Sequence, residues 1–152
     1  MKIRLAEKED APAIMALLLQ IANLHVGLRP DLFVPDVPKY DEKELLGMLG
    51  NEEKPIYVAE KDGVVVAHLF CQCKILGTTK RKVFYLDDLC VDEKCRHQGI
   101  GTALFAFFKE EAKRRGCYAI SLNCWTGNEE AASFYKKMGM GVRSETLELI
   151  LK

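Results

Sequence analysis

The chain has 152 residues, about one domain's worth and enough to bury a sizeable core. Lys plus Arg and Asp plus Glu are both 22, so the net charge is zero and no global basic field points to nucleic acid; a phosphate ligand would need local positive charge. No apolar run approaches the roughly 20 residues of a membrane span, and the opening MKIRLAEKEDAPAIM carries acids where a signal peptide has its apolar core, so a cytoplasmic protein without a membrane partner is expected. The six cysteines, Cys71, Cys73, Cys90, Cys95, Cys117 and Cys124, lie mostly in apolar runs where Cys acts as a small buried hydrophobe. No C-x-x-C pair or His cluster completes a tetrahedral site, and no metal is expected.

Residues 2 to 6, KIRLA, alternate like a short strand. Asp10 is a plausible cap for a helix with Pro12 in its first turn and Ile14, Leu17, Leu18 and Ile21 on one apolar face. From His25 to Pro38, HVGLRPDLFVPDVP, three prolines and a glycine argue against regular helix, yet Leu28, Leu32, Phe33 and Val34 make the segment apolar enough to pack over something. Asp41 caps a second helix, Glu42 to Leu49, ended by Gly50 and Asn51. Ile56 to Glu60, a turn at Lys61, Asp62 and Gly63, and Val64 to Ile75 read as a hairpin. Val83 to Val91 is a buried strand. A polar loop and two glycines, Gly99 and Gly101, then lead into a helix with Ala103, Leu104, Phe107, Phe108 and Ala112 at helical spacing. Cys117 to Cys124 is a further strand, Asn128 to Met138 a helix, and Val142 to Leu151 a last strand or two. With no repeat or linker, residues 1 to 152 are expected to form a single domain.

The stretch Asp87 to Thr102, DDLCVDEKCRHQGIGT, carries the chemistry. A helix that begins at glycines offers free backbone N–H groups and the positive end of its dipole to an anion, and glycines let a phosphate come close. Arg96 adds a forked cationic donor. The lysine of a Walker A loop is missing after Gly101, and a dinucleotide fingerprint would need three glycines after the first strand. The order R-x-x-G-x-G from Arg96 to Gly101 closely resembles the coenzyme A pyrophosphate loop of the GNAT superfamily of acyl-CoA N-acyltransferases. A second segment, NEEAASFYKKMGM from Asn128 to Met140, matches that superfamily's N-x-x-A-x-x-F-Y-x-x-x-G-F pattern, with Met140 at the final Phe position.

The resemblance covers essentially the whole chain and is closest to bacterial-type members whose acceptors are mostly unassigned. It implies an α/β (α+β) fold: a mixed sheet of about six to seven strands, four helices on its two faces, and acetyl-CoA as cosubstrate. It also implies site residues. Backbone groups of Leu89, Cys90 and Val91 would hold the pantetheine arm and polarise the thioester oxygen. Arg96, His97, Gln98, Gly99, Ile100, Gly101 and Thr102 would bind the pyrophosphate, and Asn128 would touch the coenzyme. Tyr135, protonated at neutral pH with an ordinary pKa near 10, would be the general acid for the departing thiolate.

The attacking amine must lose a proton, and Asp87 and Asp88 are placed to assist; regular alternation would turn only one of them toward the acceptor. Polyamine acetyltransferases, which this strand resembles, carry a carboxylate pair here with Glu first; the shorter Asp87 fits a water relay or cation binding better than direct abstraction. His25, Arg29, Asp31 and Phe33 are candidates for the acceptor mouth, with loop-stabilising hydrogen bonds the alternative for the polar three. Cys90 and Cys95 leave an acyl-cysteine route open, although direct transfer in a ternary complex is the family norm. The expected activity is N-acetylation of a small-molecule or peptide amine. Alternatives are a polyamine or diamine acceptor, another acyl group, or a non-catalytic acyl-CoA sensor. A homodimer is the family habit, with the apolar Leu147 to Leu151 as a possible edge.

Overall fold

The computed structural model describes residues 1–152. Five strands form one mixed sheet in the order β1-β2-β3-β4-β5. Strands β1 (Lys2–Leu5), β2 (Ile56–Lys61), β3 (Val64–Leu76) and β4 (Arg81–Val91) run antiparallel in turn, and β5 (Ala119–Leu122) lies parallel to β4. A parallel neighbour demands a crossover, and α3 (Ile100–Arg114) supplies it. The expectation of a mixed sheet flanked by four helices holds, but the strand number is five rather than six to seven.

The missing strand is the tail. Residues 142–151 alternate as a strand should, yet they take no ladder partner, and Val142, Leu147, Leu149, Ile150 and Leu151 stand exposed. Alternation specifies an extended backbone with an apolar side; only a partner makes it a strand.

Helix α1 (Ala11–Leu28) carries Pro12 in its first turn, as expected, but continues through His25 to Leu28, which the sequence reading assigned to irregular chain. The prolines that forbid helix begin at Pro30, and a proline restricts only its predecessor. Arg29, accordingly, is the non-helical C-cap. Taken with its leading turn, Lys8–Leu28 also has a mean hydropathy of 1.6 and is long enough to cross a membrane by composition alone, contrary to the expectation that no run approaches such a span. Its apolar side is used within the fold: Ala11, Ile14, Leu17, Leu18 and Ala22 are buried, and the helix packs on β3 and β4. Helix α2 (Glu42–Met48) starts in a capping box, Asp41 Oδ1 accepting from Glu44 N–H at 2.7 Å and Glu44 Oε1 accepting from Asp41 N–H at 3.4 Å.

Two cores lie on the two faces of the sheet. Ala11, Ile14, Leu18, Leu45, Ile56, Val58 and Phe70 fill the α1–α2 side. Phe84, Leu86, Leu104, Phe105 and Phe108 lead the α3 side, where Phe84 stacks on Phe108 at 5.0 Å. Each fully buried Leu or Phe contributes about 1.5–3 kcal/mol. Helix α4 (Glu129–Lys137) closes the second side but buries no residue completely.

Candidate active site

β4 and β5 pair only from Val83–Ala119 to Leu86–Leu122. Past Leu86 they part, so Leu89, Cys90 and Val91 remain laddered to β3 through Leu69, His68 and Ala67 while their other edge is open. At the end of that edge the chain makes a short 3-10 turn, Glu93–Cys95, capped by Asp92, whose Oδ1 accepts from Lys94 N–H at 3.0 Å. His97 (φ 60°) and Gly99 (φ 81°) then take left-handed backbone, and α3 starts with no side chain capping it. Its first N–H groups are thereby presented to the open edge with the positive end of the dipole. Space is free around Gly99, so its conformation alone selects glycine; at Gly101 a Cβ would meet the Phe134 ring at 3.6 Å, an ordinary contact. Arg96 is held beside the strand, its Nε donating to Val91 O at 3.2 Å, and Lys61 Nζ donates to Gln98 Oε1 at 2.9 Å. Local positive charge is present in a chain of zero net charge.

Tyr135 lies on α4, packed on Phe134 at 5.2 Å and Phe105 at 6.2 Å. Burial, followed by the neighbouring Cys124 and the negative charge of Asp88, raises its phenol well above the ordinary value. No protein group bonds its hydroxyl. Asn128 has a structural duty, Oδ1 accepting from Ala131 N–H at 3.2 Å as the cap of α4, which leaves its amide free to donate.

On the other side of β4 a bulge decides the geometry. Phe70 faces Asp88 and Cys71 faces Leu86, so Asp87 is an extra residue in β4. Regular alternation, which would allow only one carboxylate toward the acceptor, fails here: both gather around Phe70. Tyr40 stacks on Phe70 at 5.7 Å and donates its hydroxyl to Asp87 Oδ2 at 2.8 Å, while Lys39 Nζ donates to Asp87 Oδ1 at 3.0 Å. His68 meets Phe70 edge-on at 4.9 Å, and its Nε2 bonds Asp88 Oδ2 at 2.5 Å. That contact puts the proton of a neutral imidazole on Nε2 and leaves Nδ1 as a buried acceptor with no partner.

His25, in the last turn of α1, stacks on Phe33 at 5.3 Å, and Phe33 meets Trp125 edge-on at 5.6 Å. Burial lowers the His25 pKa; the charge of Asp88 opposes that shift and Lys39 reinforces it. Arg29 is committed elsewhere, gripping Asp31 through Nε and Nη2 at 2.9 and 2.7 Å and Glu148 through Nη1 at 2.5 Å, with its guanidinium 5.8 Å from the Trp125 ring centre. Arg29 and Asp31 thus act as loop fasteners, whereas His25 and Phe33 pack in a row that ends on Trp125. Cys90 is buried, and burial pushes its thiol up to about 12, so little thiolate forms and the acyl-cysteine route loses its nucleophile there.

An open strand edge running into an uncapped glycine-led helix, with a half-buried tyrosine and a carboxylate pair on opposite sides, is the arrangement found in a known family. The Acetyltransferase (GNAT) family matches residues 19–140. The chain belongs to the GNAT acetyltransferase family. An uncharacterised N-acetyltransferase of Methanocaldococcus jannaschii, MJ1207, is 36% identical over 95 residues, 60% of this chain and 41% of that protein. YhfO of Bacillus subtilis, an uncharacterised N-acetyltransferase, is 27% identical over 91% of this chain and 89% of its own length. The solved structure of the tetramutant of the BH1408 protein from Bacillus halodurans superimposes with a TM-score of 0.92 at 30% identity, covering 99% of this chain and 100% of that one. The chain therefore spans about two fifths of the first relative and nearly all of the other two.

Within this GNAT chain, Lys39 and Tyr40, the partners of Asp87, and His68, the partner of Asp88, are absent from the site candidates that the sequence offered. Lys39 and Tyr40 sit just before the Asp41 cap, where no periodicity singles them out. His68 occupies an inward position of an apolar strand, and a buried imidazole in such a place requires a polar partner.

Proposed function

We propose that this protein is an N-acetyltransferase that moves the acetyl group of acetyl-CoA to a primary amine of a small molecule or peptide, by direct attack in a ternary complex. The observation that carries this reading is the opening between β4 and β5: backbone donors on one edge, the α3 N-terminus at its end, Tyr135 on one side and the carboxylates on the other. The N–H groups from Gln98 to Thr102, with Arg96, bind pyrophosphate, and those of Leu89 to Val91 hold the pantetheine arm and the thioester carbonyl. Asp88, whose charge reaches both Tyr135 and His25, lies between donor and acceptor and takes the amine's proton through water. The free amine then attacks: the N–C bond forms, the C–S bond breaks, the departing sulfur receives the Tyr135 proton, and the second proton shed by the nitrogen returns through water to the tyrosinate. Burial keeps that proton in place at neutral pH.

A diamine or polyamine acceptor is the second reading. Its support is Lys39, whose ammonium already sits 3.0 Å from Asp87 Oδ1 and 5.6 Å from the Tyr40 ring centre, a place suited to an alkyl ammonium. Six free thiols support a reducing compartment such as the cytoplasm for this activity. Thiol release from acetyl-CoA across a panel of mono-, di- and polyamines and peptides is the test. Turnover with at least one amine is expected; tight coenzyme binding with no turnover on any would replace the enzyme by a sensor module.

A further inference from the structure

His68 stands in the middle of the sheet, opposite Val58 of β2 and Cys90 of β4, on the face that Ile14, Leu18 and Phe70 make apolar. It is fully buried, and its Nδ1 is the only buried side-chain nitrogen or oxygen without a hydrogen-bonding partner. Apolar residues of the same volume in place of a buried polar pair are often as stabilising or more so. The needs of the core therefore do not explain an imidazole there.

What the ring does in the interior is grip Asp88. A neutral imidazole has one N–H, and the 2.5 Å contact from Nε2 to Oδ2 directs it at the carboxylate. The other tautomer would set two acceptors against each other and bury an N–H with nothing to receive it, so the direction of the bond is fixed. Phe70 braces the ring edge-on at 4.9 Å. The two carboxylates of the bulge differ in what this leaves free. Asp87 has both oxygens engaged, Oδ1 by Lys39 and Oδ2 by Tyr40. Asp88 is engaged at Oδ2 alone; its Oδ1 receives no hydrogen bond from the protein and is not enclosed. One oxygen of Asp88 is held from inside the sheet and the other is open.

We propose that His68 is a positioning residue for acetyl transfer: by gripping Oδ2 it aims Oδ1 of Asp88 at the water that carries away the amine's proton. This rests on the acetyl-transfer reading above. The proton leaves the ammonium nitrogen for water, and water passes a proton to Asp88 Oδ1. His68 keeps its own Nε2–H throughout and gains no second one, because an N–H at Nδ1 would have no acceptor. Without the grip the carboxylate turns about its side-chain bonds, and a misplacement of about 1 Å can cost roughly 100-fold in rate.

Steady-state kinetics of the parent, His68→Phe and His68→Gln on the preferred amine test this, with thermal melts to establish that each is folded. His68→Phe fills the space without a donor and should lower kcat by about 100-fold, with the KM values for acetyl-CoA and amine within about twofold of the parent. His68→Gln returns an N–H to Oδ2 and should recover about tenfold or more of that loss. A kcat for His68→Phe within about threefold of the parent, a loss that Gln does not relieve, or a loss confined to KM would overturn the proposal and leave the acetyl-transfer reading standing. A parent that acetylates no amine would overturn both. Should His68→Phe fail to fold, proton NMR of the intact protein decides: an exchange-protected imidazole N–H resonance that vanishes in His68→Gln and shifts in Asp88→Asn is expected, and its absence from the parent would overturn the proposal.

Discussion

The two sides of the site proposed at β4 rest on different atoms. On the coenzyme side the binding groups are backbone: the free edge of Leu89 to Val91 and the first turn of α3, oriented by left-handed residues at His97 and Gly99. On the acceptor side they are side chains from three elements and a loop: His25 from α1, Lys39 and Tyr40 from the segment before α2, His68 from β3, Asp87 and Asp88 from β4. A backbone site tolerates change in side chains and is sensitive to conformation. A side-chain site behaves the other way, so its specificity can change while the coenzyme site stays as it is.

Substitutions can break this contrast. Largest is Tyr135→Phe, which removes the proton donor and should lower kcat by about 10²–10⁴-fold while leaving the Kd for coenzyme A unchanged by calorimetry; unchanged turnover would remove Tyr135 from the chemistry. Next is Asp87→Asn on the acceptor side. Losing a charged hydrogen-bonding partner, worth about 1.5–3 kcal/mol, should raise the acceptor KM roughly 10- to 100-fold with no effect on coenzyme affinity. An equal loss of coenzyme affinity would mean the two sides are not independent. Gly99→Ala probes the backbone side. The left-handed conformation costs a Cβ-bearing residue about 1–2 kcal/mol, so coenzyme A should bind about 5- to 30-fold more weakly by calorimetry, with the acceptor KM untouched.

The smallest effect lies at the far end of α3, away from both. Glu111 accepts from Tyr57, Arg114 and Arg115, and these partners, Arg114 foremost, hold its carboxyl at about 2, below its ordinary 4.5. A depressed folded-state pKa means the unfolded chain binds the proton first as pH falls. The contribution to stability is whole above 4.5 and disappears on the way down to about 2. Glu111→Gln should therefore lower Tm by a few degrees at pH 7 and flatten its decline between those pH values in thermal melts; a variant that declines as steeply as the parent would assign the acid loss to other carboxylates.

The same contrast explains what could be read from the chain beforehand. The coenzyme side is local, since Arg96 to Thr102 is one run in which the glycines announce their own backbone geometry. The acceptor side joins His25, Tyr40, His68 and Asp88 across long sequence separations, and no spacing rule links them. Periodicity found α3 and its face, although Ile100 and Phe105 complete that face instead of Ala103, while Phe107 packs at its margin against Tyr57 at 4.8 Å. It could not show the bulge, because DDLCV reads equally well as a regular strand. Nor could it show that the tail lacks a partner, since pairing depends on where the neighbouring strand ends. The helical stretch His25 to Leu28 was hidden by prolines that act only further along.

The bulge at Asp87 also bears on how this strand could have changed by insertion and deletion. Before it, Phe84 and Leu86 face the α3 core; after it, Leu89 and Val91 do. The parity of the inward positions switches from even to odd across a single residue. Removing codon 87 would leave a regular strand with every core side chain still on its present face, and only one carboxylate at the site. Adding or removing a codon in β4 away from the Asp87–Asp88 pair would turn part of the strand inside out. Asp87 is thus a spare position in an otherwise phase-locked strand, where the acceptor site can gain or lose a charge without disturbing the core.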